Sequence, residues 1–444
     1  MIGSPITVPQ LQAFMMTTPA LARAAALTAA SFLAAPFPSA YAQETPLPMA
    51  ASEQAGFSAP SLARIDSFFE REIAQNRVPG AVVGIARDGK LVYYKAFGYL
   101  DKDKGTPMPL NAIFGLASMT KIMTAAGVLA LTQEGRLPLY SPLANYFPDF
   151  AGMKVAVKRP DGTVDYEPQK KPITIQDLLR HTSGLTYPGR PDTGGTVSNL
   201  YPTGEAMAKM SSSAEYIAAV TKLPLVYQPG TVFEYSQSFD VLSAVVEKIT
   251  SKTLGGHLAD VLWKPLNMKD TTFHIPDDKR DRVARPFKNN PLDGKPQRIL
   301  STETDAKFEC GGACSLGTVG DYLRFGQMLI NGGELDGQRV LSPQMVQLMT
   351  SNHLTNDIVN RVANVEPHRN GYGFGLGVAV RVEPGLAAVP GNVGEYSWNG
   401  AYGTGFFADP QARLVVVFAT AAPGELRKYY REQVQDLVYG AMTR

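Results

Sequence analysis

Ser118 and Lys121 stand three residues apart in the stretch FGLASMTKIMT (114–124), where an amphipathic run begins. On a helix, residues at i and i+3 lie on one face, one turn apart, so the hydroxyl and the amine can meet. At a helix N-terminus the serine oxygen also feels the positive end of the macrodipole, which favours developing negative charge. A lysine withdrawn from bulk water loses part of its preference for the charged form. The pair can therefore supply a nucleophile and its base.

The spacing alone is not specific. A chain of 444 residues contains an S-x-x-K sequence on the order of once by chance, and the alternative is a helix-capping serine followed by a surface lysine. Two further segments favour a site. Tyr235 begins a helical pattern after the turn sequence QPGT, and Trp398 precedes small residues that would let a substrate approach a strand backbone.

The composition is that of an ordinary soluble globular protein, with 44% hydrophobic and 18% charged residues. The formal net charge is +2 with acids and bases interspersed, so the sequence predicts no nucleic-acid partner and no membrane-surface site. The length of 444 residues allows two or three domains, or one large enzyme domain with an insertion.

Residues 21–42 have the pattern of a secretory signal. Arg23 is followed by the apolar run Ala24–Ala35 and by an A-x-A cleavage pattern at 40–42. The run is too short to span a bilayer, which needs about 20 residues. The alternative is a disordered Ala- and Pro-rich tail. We expect a periplasmic or secreted protein, cleaved near Ala42 and without a membrane span in its mature form.

Two cysteines, Cys310 and Cys314, are present. Two thiols without a nearby histidine cannot form a zinc site, so no metal is implied. A disulfide across the three intervening residues is sterically allowed, and an oxidising compartment would permit it. We expect two free, buried thiols instead.

Apolar periodicity predicts helices near both ends of the chain, strand-like runs beside them, and a mostly helical middle. The predicted elements are a helix over 61–75, a hairpin around Asp88-Gly89, a helix from Ser118 to about Glu134, helices over 174–180, 214–221, 239–250 and 254–262, a local hairpin over 154–166, strands within 371–380, 395–410 and 414–420, and a last helix over 425–442.

These elements predict an α/β (α+β) fold. Its antiparallel sheet is formed from both ends of the chain and flanked by the N- and C-terminal helices, with a mostly helical domain inserted. The expected organisation is a leader over 1–42, an α/β sandwich domain formed by 43–141 and 301–444, and the inserted domain over 142–300.

The segments that carry Ser118 and Lys121, Tyr235, and Trp398 occur in this order in the chain. Together they resemble the serine β-lactamase and penicillin-binding-protein superfamily. The sequence is most similar to family VIII carboxylesterases, which share the class C β-lactamase fold. The resemblance runs from VPGAVVGIARDGK to the end of the chain and includes ITIQDLLRHTSGL, PLNMKDTTF and GTVGDYLRFGQM. It implies a β-lactamase/transpeptidase-like architecture and a serine enzyme that works without a cofactor.

The resemblance assigns roles to individual residues. Ser118 would attack a carbonyl and form an acyl-enzyme that water later cleaves. Lys121 would take the serine proton or hold the base, and Tyr235 matches the tyrosine of the Y-x-N element, a general base. Which of the two accepts the proton stays open. The backbone N–H groups of Ser118 and Ala401 would form the oxyanion hole.

The sequence departs from the lactamase and peptidase pattern at two positions. Trp398-Asn399-Gly400 replaces K-T-G or H-T-G, as in the W-x-G of the esterases. An indole in place of a cation should weaken recognition of a substrate carboxylate and offer apolar groups a packing surface. Gln237 stands where Y-x-N has Asn. Trp398, Asn399, Gly400 and Gln237 are the expected substrate-binding residues.

Two other residues invite a catalytic interpretation. Ser315 lies in ACSLG, close to the G-x-S-x-G elbow, but no clear strand leads into it, and the later His353 and His368 lie in polar, loop-like sequence. The resemblance places His181 in a structural turn after a helix. Neither is expected to be catalytic.

The expected activity is hydrolysis of short-chain carboxylic esters, small-molecule substrates, through a Ser118 acyl-enzyme, with weak β-lactam hydrolysis as a side activity. The alternatives are a β-lactamase, a D,D-peptidase or an acyltransferase on the same scaffold. A catalytically silent penicillin-binding-like protein is a further alternative. The oligomeric state is left open.

Overall fold

The protein's structure, a computed structural model, describes residues 45–190, 197–297 and 307–444. The expected signal segment over 21–42, with its cleavage site near Ala42, lies outside these residues. Across the described ranges, no helix is long and apolar enough to cross a membrane.

Within the described part of the chain, eight strands form one antiparallel sheet, and shorter strands pair in twos. The strands of the described residues are β1 (Gly80–Arg87), β2 (Lys90–Asp101), β3 (Thr106–Pro107), β4 (Phe114–Gly115), β5 (Lys154–Lys158), β6 (Val164–Pro168), β7 (Leu316–Gly317), β8 (Glu334–Leu335), β9 (Gln338–Arg339), β10 (Tyr372–Phe374), β11 (Ala379–Arg381), β12 (Tyr396–Gly400), β13 (Thr404–Asp409) and β14 (Leu414–Ala419). The order in the sheet is β10-β11-β12-β13-β14-β1-β2-β3.

Helices cover both faces of this sheet and fill the middle of the chain. They are α1 (Ala59–Ala74), α2 (Thr120–Gln133), α3 (Ile175–Leu179), α4 (Gly204–Ala208), α5 (Ser213–Val220), α6 (Ser238–Thr250), α7 (Leu254–Leu258), α8 (Val319–Ile330), α9 (Pro343–Thr350) and α10 (Leu426–Tyr439). A 3₁₀ turn, Ala117–Met119, precedes α2, and a π-helical segment, Ala259–Trp263, continues α7.

Alternate residues of the central strand β1 face opposite sides of the sheet, as the pleat requires. Val83 and Ile85 belong to a core formed with the terminal helices α1 and α10. Ala86 belongs to the larger core, which includes α2 and α8. A Cβ added at Gly84 would lie 2.5 Å from the Leu323 side chain of α8. This glycine therefore lets α8 pack closely on the sheet.

The sheet joins the two ends of the described chain. β1 pairs with β2 on one side and with β14 on the other, with Val83 opposite Phe418. Between them, residues 142–297 provide α3–α7 and the hairpin β5–β6. An antiparallel sheet flanked by terminal helices confirms the predicted fold class. The division into sandwich and inserted domains at 142 and 300 stays a prediction.

Cys310 and Cys314 form a disulfide, with their Cα atoms 5.2 Å apart. The expectation of two free thiols is therefore wrong. The reason is local: the chain makes a tight turn in which the backbone N–H of Cys314 donates to the carbonyl of Cys310 at 3.1 Å. That turn brings the two side chains within bonding reach, which spacing in the sequence does not reveal.

Candidate active site

Ser118 lies in the turn that leads into α2 and is partly exposed. Ala117 before it has a φ of 46°, a conformation that costs a non-glycine residue about 1–3 kcal/mol. The short pair β4–β7 anchors the chain just before the turn. The N-cap position of α2 is Met119 and has no side-chain hydrogen bond. Ser118 is thus presented by a strained turn and does not cap the helix.

Lys121 is completely buried one turn further along. Its Nζ donates to Gly312 O at 2.6 Å, to Tyr187 Oη at 3.1 Å and to Ser118 Oγ at 3.5 Å. An ammonium has three donors and no acceptor. The contacts among the described residues therefore match a protonated lysine that reaches the serine hydroxyl.

Tyr235 joins this pair from a segment more than a hundred residues away in the sequence. The Lys121 Nζ lies 4.7 Å from the centroid of its ring. The indole Nε1–H of Trp398 donates to Tyr235 Oη at 3.1 Å. The His181 ring packs against Tyr235 with centroids 4.8 Å apart. A hydroxyl, an amine and a phenol therefore converge, and the serine and the tyrosine are both partly exposed.

The end of β12 touches the turn that carries Ser118. A Cβ added at Gly400 would lie 2.3 Å from the carbonyl oxygen of Leu116, so only glycine allows this approach. Thr404 Oγ1 donates to the same carbonyl at 3.2 Å. Ala401 follows Gly400 and is exposed. The two residues expected to form the oxyanion hole thus belong to neighbouring segments.

Comparison with known proteins identifies the family. A family model described as Beta-lactamase matches residues 65–439. The chain belongs to the beta-lactamase family. Protein Rv1367c of Mycobacterium tuberculosis is 35% identical over 349 residues, which span 76% of this chain and 84% of that protein. Esterase EstB of Burkholderia gladioli is 29% identical over 377 residues, 81% of this chain and 90% of EstB.

Solved structures of the beta-lactamase fold agree with this assignment. EstCE1, described as a hydrolase with promiscuous acyltransferase activity, has a TM-score of 0.67 at 26% identity and covers 86% of this chain and 99% of its own. The simvastatin synthase LovD of Aspergillus terreus has a TM-score of 0.72 at 22% identity, over 86% and 99% of the two chains, and shares the fold. This beta-lactamase family member is a serine hydrolase by fold, and its resemblance to family VIII esterases is confirmed.

Trp398 of this beta-lactamase family member, which is expected to offer substrate a packing surface, is almost completely buried. Its side chain is only 2% exposed. One ring edge meets Phe374 in a T-shaped contact, with centroids 5.3 Å apart, and the Nε1–H is used by Tyr235. Trp398 therefore contacts the site through the phenol oxygen of Tyr235.

We expect Trp398→Phe to lower kcat/KM about 10- to 100-fold, because a hydrogen bond to a charged group contributes about 1.5–3 kcal/mol. The substitution keeps an aromatic ring but removes the donor to Tyr235 Oη, so kcat should fall more than KM rises. Trp263→Phe is the matched control, because the Nε1 of Trp263 has no hydrogen-bond partner in the described structure. Steady-state kinetics of both variants decide the point, and an unchanged kcat for Trp398→Phe would contradict it.

Gln237, which is expected to bind substrate, is enclosed by other parts of the protein. It is 1% exposed. Its Nε2 donates to Pro202 O at 2.6 Å, and its Oε1 accepts from Tyr216 Oη at 3.2 Å. The extra methylene relative to Asn carries the amide into these contacts, so both ends of the amide are already satisfied inside the protein.

Asn399 faces a buried ion cluster behind β12. Its Nδ2 donates to Glu366 Oε2 at 2.6 Å. Glu366 also pairs with Arg431 and, at 2.9 Å, with Arg369. Arg431 donates in turn to Gly400 O at 2.6 Å. Burial alone would raise the pKa of Glu366, but the two guanidinium groups lower it to about 2. The cluster fixes the strand that ends at the predicted oxyanion hole.

We expect Glu366→Gln to lower the free energy of unfolding by about 3–5 kcal/mol at pH 7, because two arginines would be left buried without a counter-charge. The pKa of Glu366 is depressed by folding, from 4.5 to about 2. Its contribution is therefore fully present above pH 4.5 and is lost as the pH falls towards 2. Denaturant unfolding of wild type and variant between pH 7 and pH 2.5 should show the difference shrinking.

Glu334→Gln provides the control, since its ion pair with Arg339 is largely exposed and such pairs contribute about 0–1 kcal/mol. If the two substitutions were equally mild at pH 7, the ion cluster would not stabilise the fold.

Three residues at the site are not among those predicted from the sequence. Tyr187 accepts a hydrogen bond from Lys121, and burial raises the pKa of Tyr187, which keeps its phenol neutral. Gly312 supplies the shortest contact to Lys121, and Asp240 accepts from the N–H of Gly312 at 2.9 Å. Tyr187 stands two residues after the end of HTSGL (181–185), and this is the one local signal that could have indicated it.

The residues set aside as non-catalytic lie in structural positions. Ser315 is 1% exposed and shares a 2.6 Å hydrogen bond with Thr120 Oγ1. His181 follows α3 in a turn, with a φ of 57°, and is completely buried. Its Nδ1 contacts Ser236 Oγ at 3.0 Å and accepts from the Ser236 N–H at 3.3 Å. The expected structural turn after a helix is confirmed.

Proposed function

We propose that this protein is a carboxylesterase that cleaves short-chain carboxylic esters through an acyl-enzyme on Ser118. The observation that carries the proposal is the contact of Lys121 with Ser118 and of Trp398 with Tyr235. These two contacts combine an acylation site with Trp398, an uncharged residue at the position where lactamases and peptidases have a cation. The names of EstB and EstCE1, an esterase and a hydrolase, support the same activity.

Acylation begins when Ser118 Oγ attacks the carbonyl carbon of the ester. The serine proton passes to a base, and the N–H groups of Ser118 and Ala401 hold the negative oxygen of the tetrahedral intermediate. The intermediate collapses, and the C–O bond to the alcohol breaks as the alcohol takes up the proton. Water then attacks the acyl-enzyme by the reverse sequence and releases the carboxylic acid.

We assign the base to Tyr235. As an ammonium, Lys121 can donate to Gly312, Tyr187 and Ser118 at once, and in that state it has no lone pair that could accept a proton. That ammonium and the indole N–H of Trp398 both stabilise negative charge on the phenol oxygen. Lys121 then orients Ser118 and balances the charge of Tyr235.

The specificity follows from the groups around Trp398. The indole carries no charge, and the guanidinium of Arg369, 5.0 Å from its ring centroid, is 2% exposed and paired with Glu366. Neither group offers an anchor to the carboxylate of a β-lactam or a peptide. An uncharged ester needs no such anchor.

The test compares rates on p-nitrophenyl butyrate and on a chromogenic cephalosporin, with Ser118→Ala as the control. We expect rapid ester turnover and little cephalosporin cleavage, both lost in the variant. The reverse ranking would favour a β-lactamase, and binding of either compound without turnover would favour a silent protein. A Trp398→Lys variant that gains cephalosporin turnover would support the account of specificity.

A second activity, acyl transfer to an alcohol, is favoured by the likeness to EstCE1, whose description includes promiscuous acyltransferase activity. The acyl-enzyme is the same, and an alcohol replaces water in the second step. Adding an alcohol to the ester assay and measuring the ratio of new ester to free acid distinguishes the two outcomes.

We also propose that the protein is exported and that the leader over 1–42 is removed. The Cys310–Cys314 disulfide supports this, because such bonds persist in oxidising compartments. N-terminal sequencing of the protein recovered from the periplasm or medium tests it, with cleavage near Ala42 as the expected result.

A further inference from the structure

A short loop closed by the Cys310–Cys314 disulfide lies directly against the buried lysine of the site. The carbonyl of Gly312, in the middle of this loop, is the acceptor 2.6 Å from Lys121 Nζ. It lies nearer to the ammonium than Ser118 Oγ, which is 3.5 Å away. The position of Lys121 relative to the nucleophile therefore depends on the position of the loop.

Helices α2 and α6 hold the loop from two sides. Thr124 of α2 donates to Gly311 O at 3.0 Å, and Ser243 of α6 accepts from the Gly311 N–H at 2.7 Å. Asp240 of α6 accepts from the Gly312 N–H at 2.9 Å. A Cβ would lie 2.6 Å from Ser243 Oγ at Gly311 and 2.7 Å from Asp240 Oδ1 at Gly312. The paired glycines let the loop backbone enter between the helices.

Asp240 is a buried carboxylate that the esterase steps do not use, with 1% of its surface exposed. Burial raises its pKa to about 6, while Lys121 and the Gly312 N–H oppose that rise. Burial, and after it the charge of Asp240, raises the pKa of two phenols, Tyr187 from the loop after α3 and Tyr216 from α5. Lys121 itself also faces His181 and Tyr235. Asp240 thus supplies negative charge close to the ammonium of Lys121.

We propose that Asp240 and the disulfide-closed loop are positioning elements that fix Lys121 against Ser118, so that acylation of the serine depends on the Cys310–Cys314 bond. The inference rests on the proposed roles of Ser118 and Lys121. Asp240 holds the loop by the Gly312 N–H, and the disulfide prevents the turn from opening. A dithiol reduces the bond to two thiols and is itself oxidised to a cyclic disulfide. The loop then holds the Gly312 carbonyl less firmly.

The carboxylate is tested with Asp240→Asn, which keeps an oxygen for the Gly312 N–H but removes the charge. We expect kcat to fall about tenfold, with KM changed less than about twofold, since misplacement of a catalytic group acts on the chemical step. The pH–kcat profile should also change, because the substitution removes a buried negative charge close to the ammonium of Lys121.

Asp321→Asn is the matched control, because Asp321 is a buried carboxylate whose pKa burial also raises to about 6, while its partners are Thr271 and the Asp270 N–H. Its pH profile should match the wild type. An Asp240→Asn profile that also matches would overturn the role of Asp240, whatever happens to the melting temperature.

The disulfide is tested on the folded enzyme with dithiothreitol, because Cys314 is partly exposed. We expect two titratable thiols to appear while kcat falls about threefold to tenfold, and the rate to return on reoxidation. The chain has no other cysteine. A Cys310→Ser/Cys314→Ser variant should therefore have the kcat of the reduced enzyme, and dithiothreitol should not change it. A reduced wild type that shows both thiols and keeps its full rate would overturn the dependence on the bond.

Labelling with a fluorophosphonate separates this inference from the proposed function. Ser118 Oγ attacks phosphorus, fluoride leaves, and the serine proton passes to the base, so the labelling rate reports the nucleophile without ester turnover. If the wild type is labelled but hydrolyses no ester, the carboxylesterase proposal fails. The labelling rates of Asp240→Asn and of the reduced enzyme still decide the positioning, with slower labelling expected and equal rates contradicting it.

Discussion

Replacing Ser118 with alanine should lower kcat/KM on p-nitrophenyl butyrate by about 10⁴-fold or more. The hydroxyl lies on a strained, partly exposed turn, within 3.5 Å of the Lys121 Nζ. Without it no acyl-enzyme can form, and the residual rate reflects binding and the oxyanion hole alone. Steady-state kinetics and mass spectrometry after fluorophosphonate labelling measure the effect, with no adduct expected on the variant.

Ser315→Ala tests the rival nucleophile. Ser315 is 1% exposed and hydrogen-bonded to Thr120, so its variant should keep most of the activity and still be labelled at Ser118. An active, labelled Ser118→Ala protein would remove the basis of the proposed function.

Replacing Tyr235 with phenylalanine should lower kcat/KM by about 10²- to 10⁴-fold, the usual contribution of general acid–base catalysis. The substitution removes one oxygen, which accepts from Trp398 Nε1 at 3.1 Å, and keeps the ring beneath the ammonium of Lys121. The loss should therefore appear in kcat and in the rate of Ser118 labelling. The melting temperature should change little.

Tyr93→Phe is a suitable control, because it also removes a buried phenol that is hydrogen-bonded, in this case to Asp66 on α1. Its effect should be on stability alone. A Tyr235→Phe enzyme with near-wild-type kcat would show that the phenol is not the base and would return that role to Lys121.

Local patterns predicted several elements of the fold, although the helices α8 and α9 are not among the predicted elements. The Asp88-Gly89 turn between two apolar runs predicts the β1–β2 hairpin, and Asp88 and Gly89 both have positive φ as that turn requires. The apolar face of the last helix predicts a packed terminal helix, observed as Leu426–Tyr439. These features depend on neighbours within a few residues, so a single sequence records them.

The candidate site was predictable to the extent that its parts carry short motifs. Ser118 and Lys121 are related by one helical turn, and Tyr235 and Trp398 stand in segments that resemble family elements. Tyr187, Asp240 and Gly312 carry no such motif. Their contacts join residues 66 to 191 positions apart in the chain, and no local pattern specifies such pairs.

Two positions show where packing decides. The spacing of Cys310 and Cys314 is compatible with free thiols or with a disulfide, and the turn held between α2 and α6 selects the bond. Gln237 has the right chemistry for binding substrate, but Pro202 and Tyr216 occupy its amide. In both cases the neighbouring groups in the folded chain, rather than the residue type, determine which bonds the side chain makes.

The sequence by itself determined the fold class, the family, and a serine and lysine on one helical turn, because these depend on periodicity and short motifs. The tertiary structure alone decided that Trp398 serves the phenol oxygen of Tyr235, that Gln237 is enclosed, and that a disulfide-closed loop holds Lys121. The physical reason is that burial and hydrogen-bond partners are properties of a place in the folded chain, where distant segments meet.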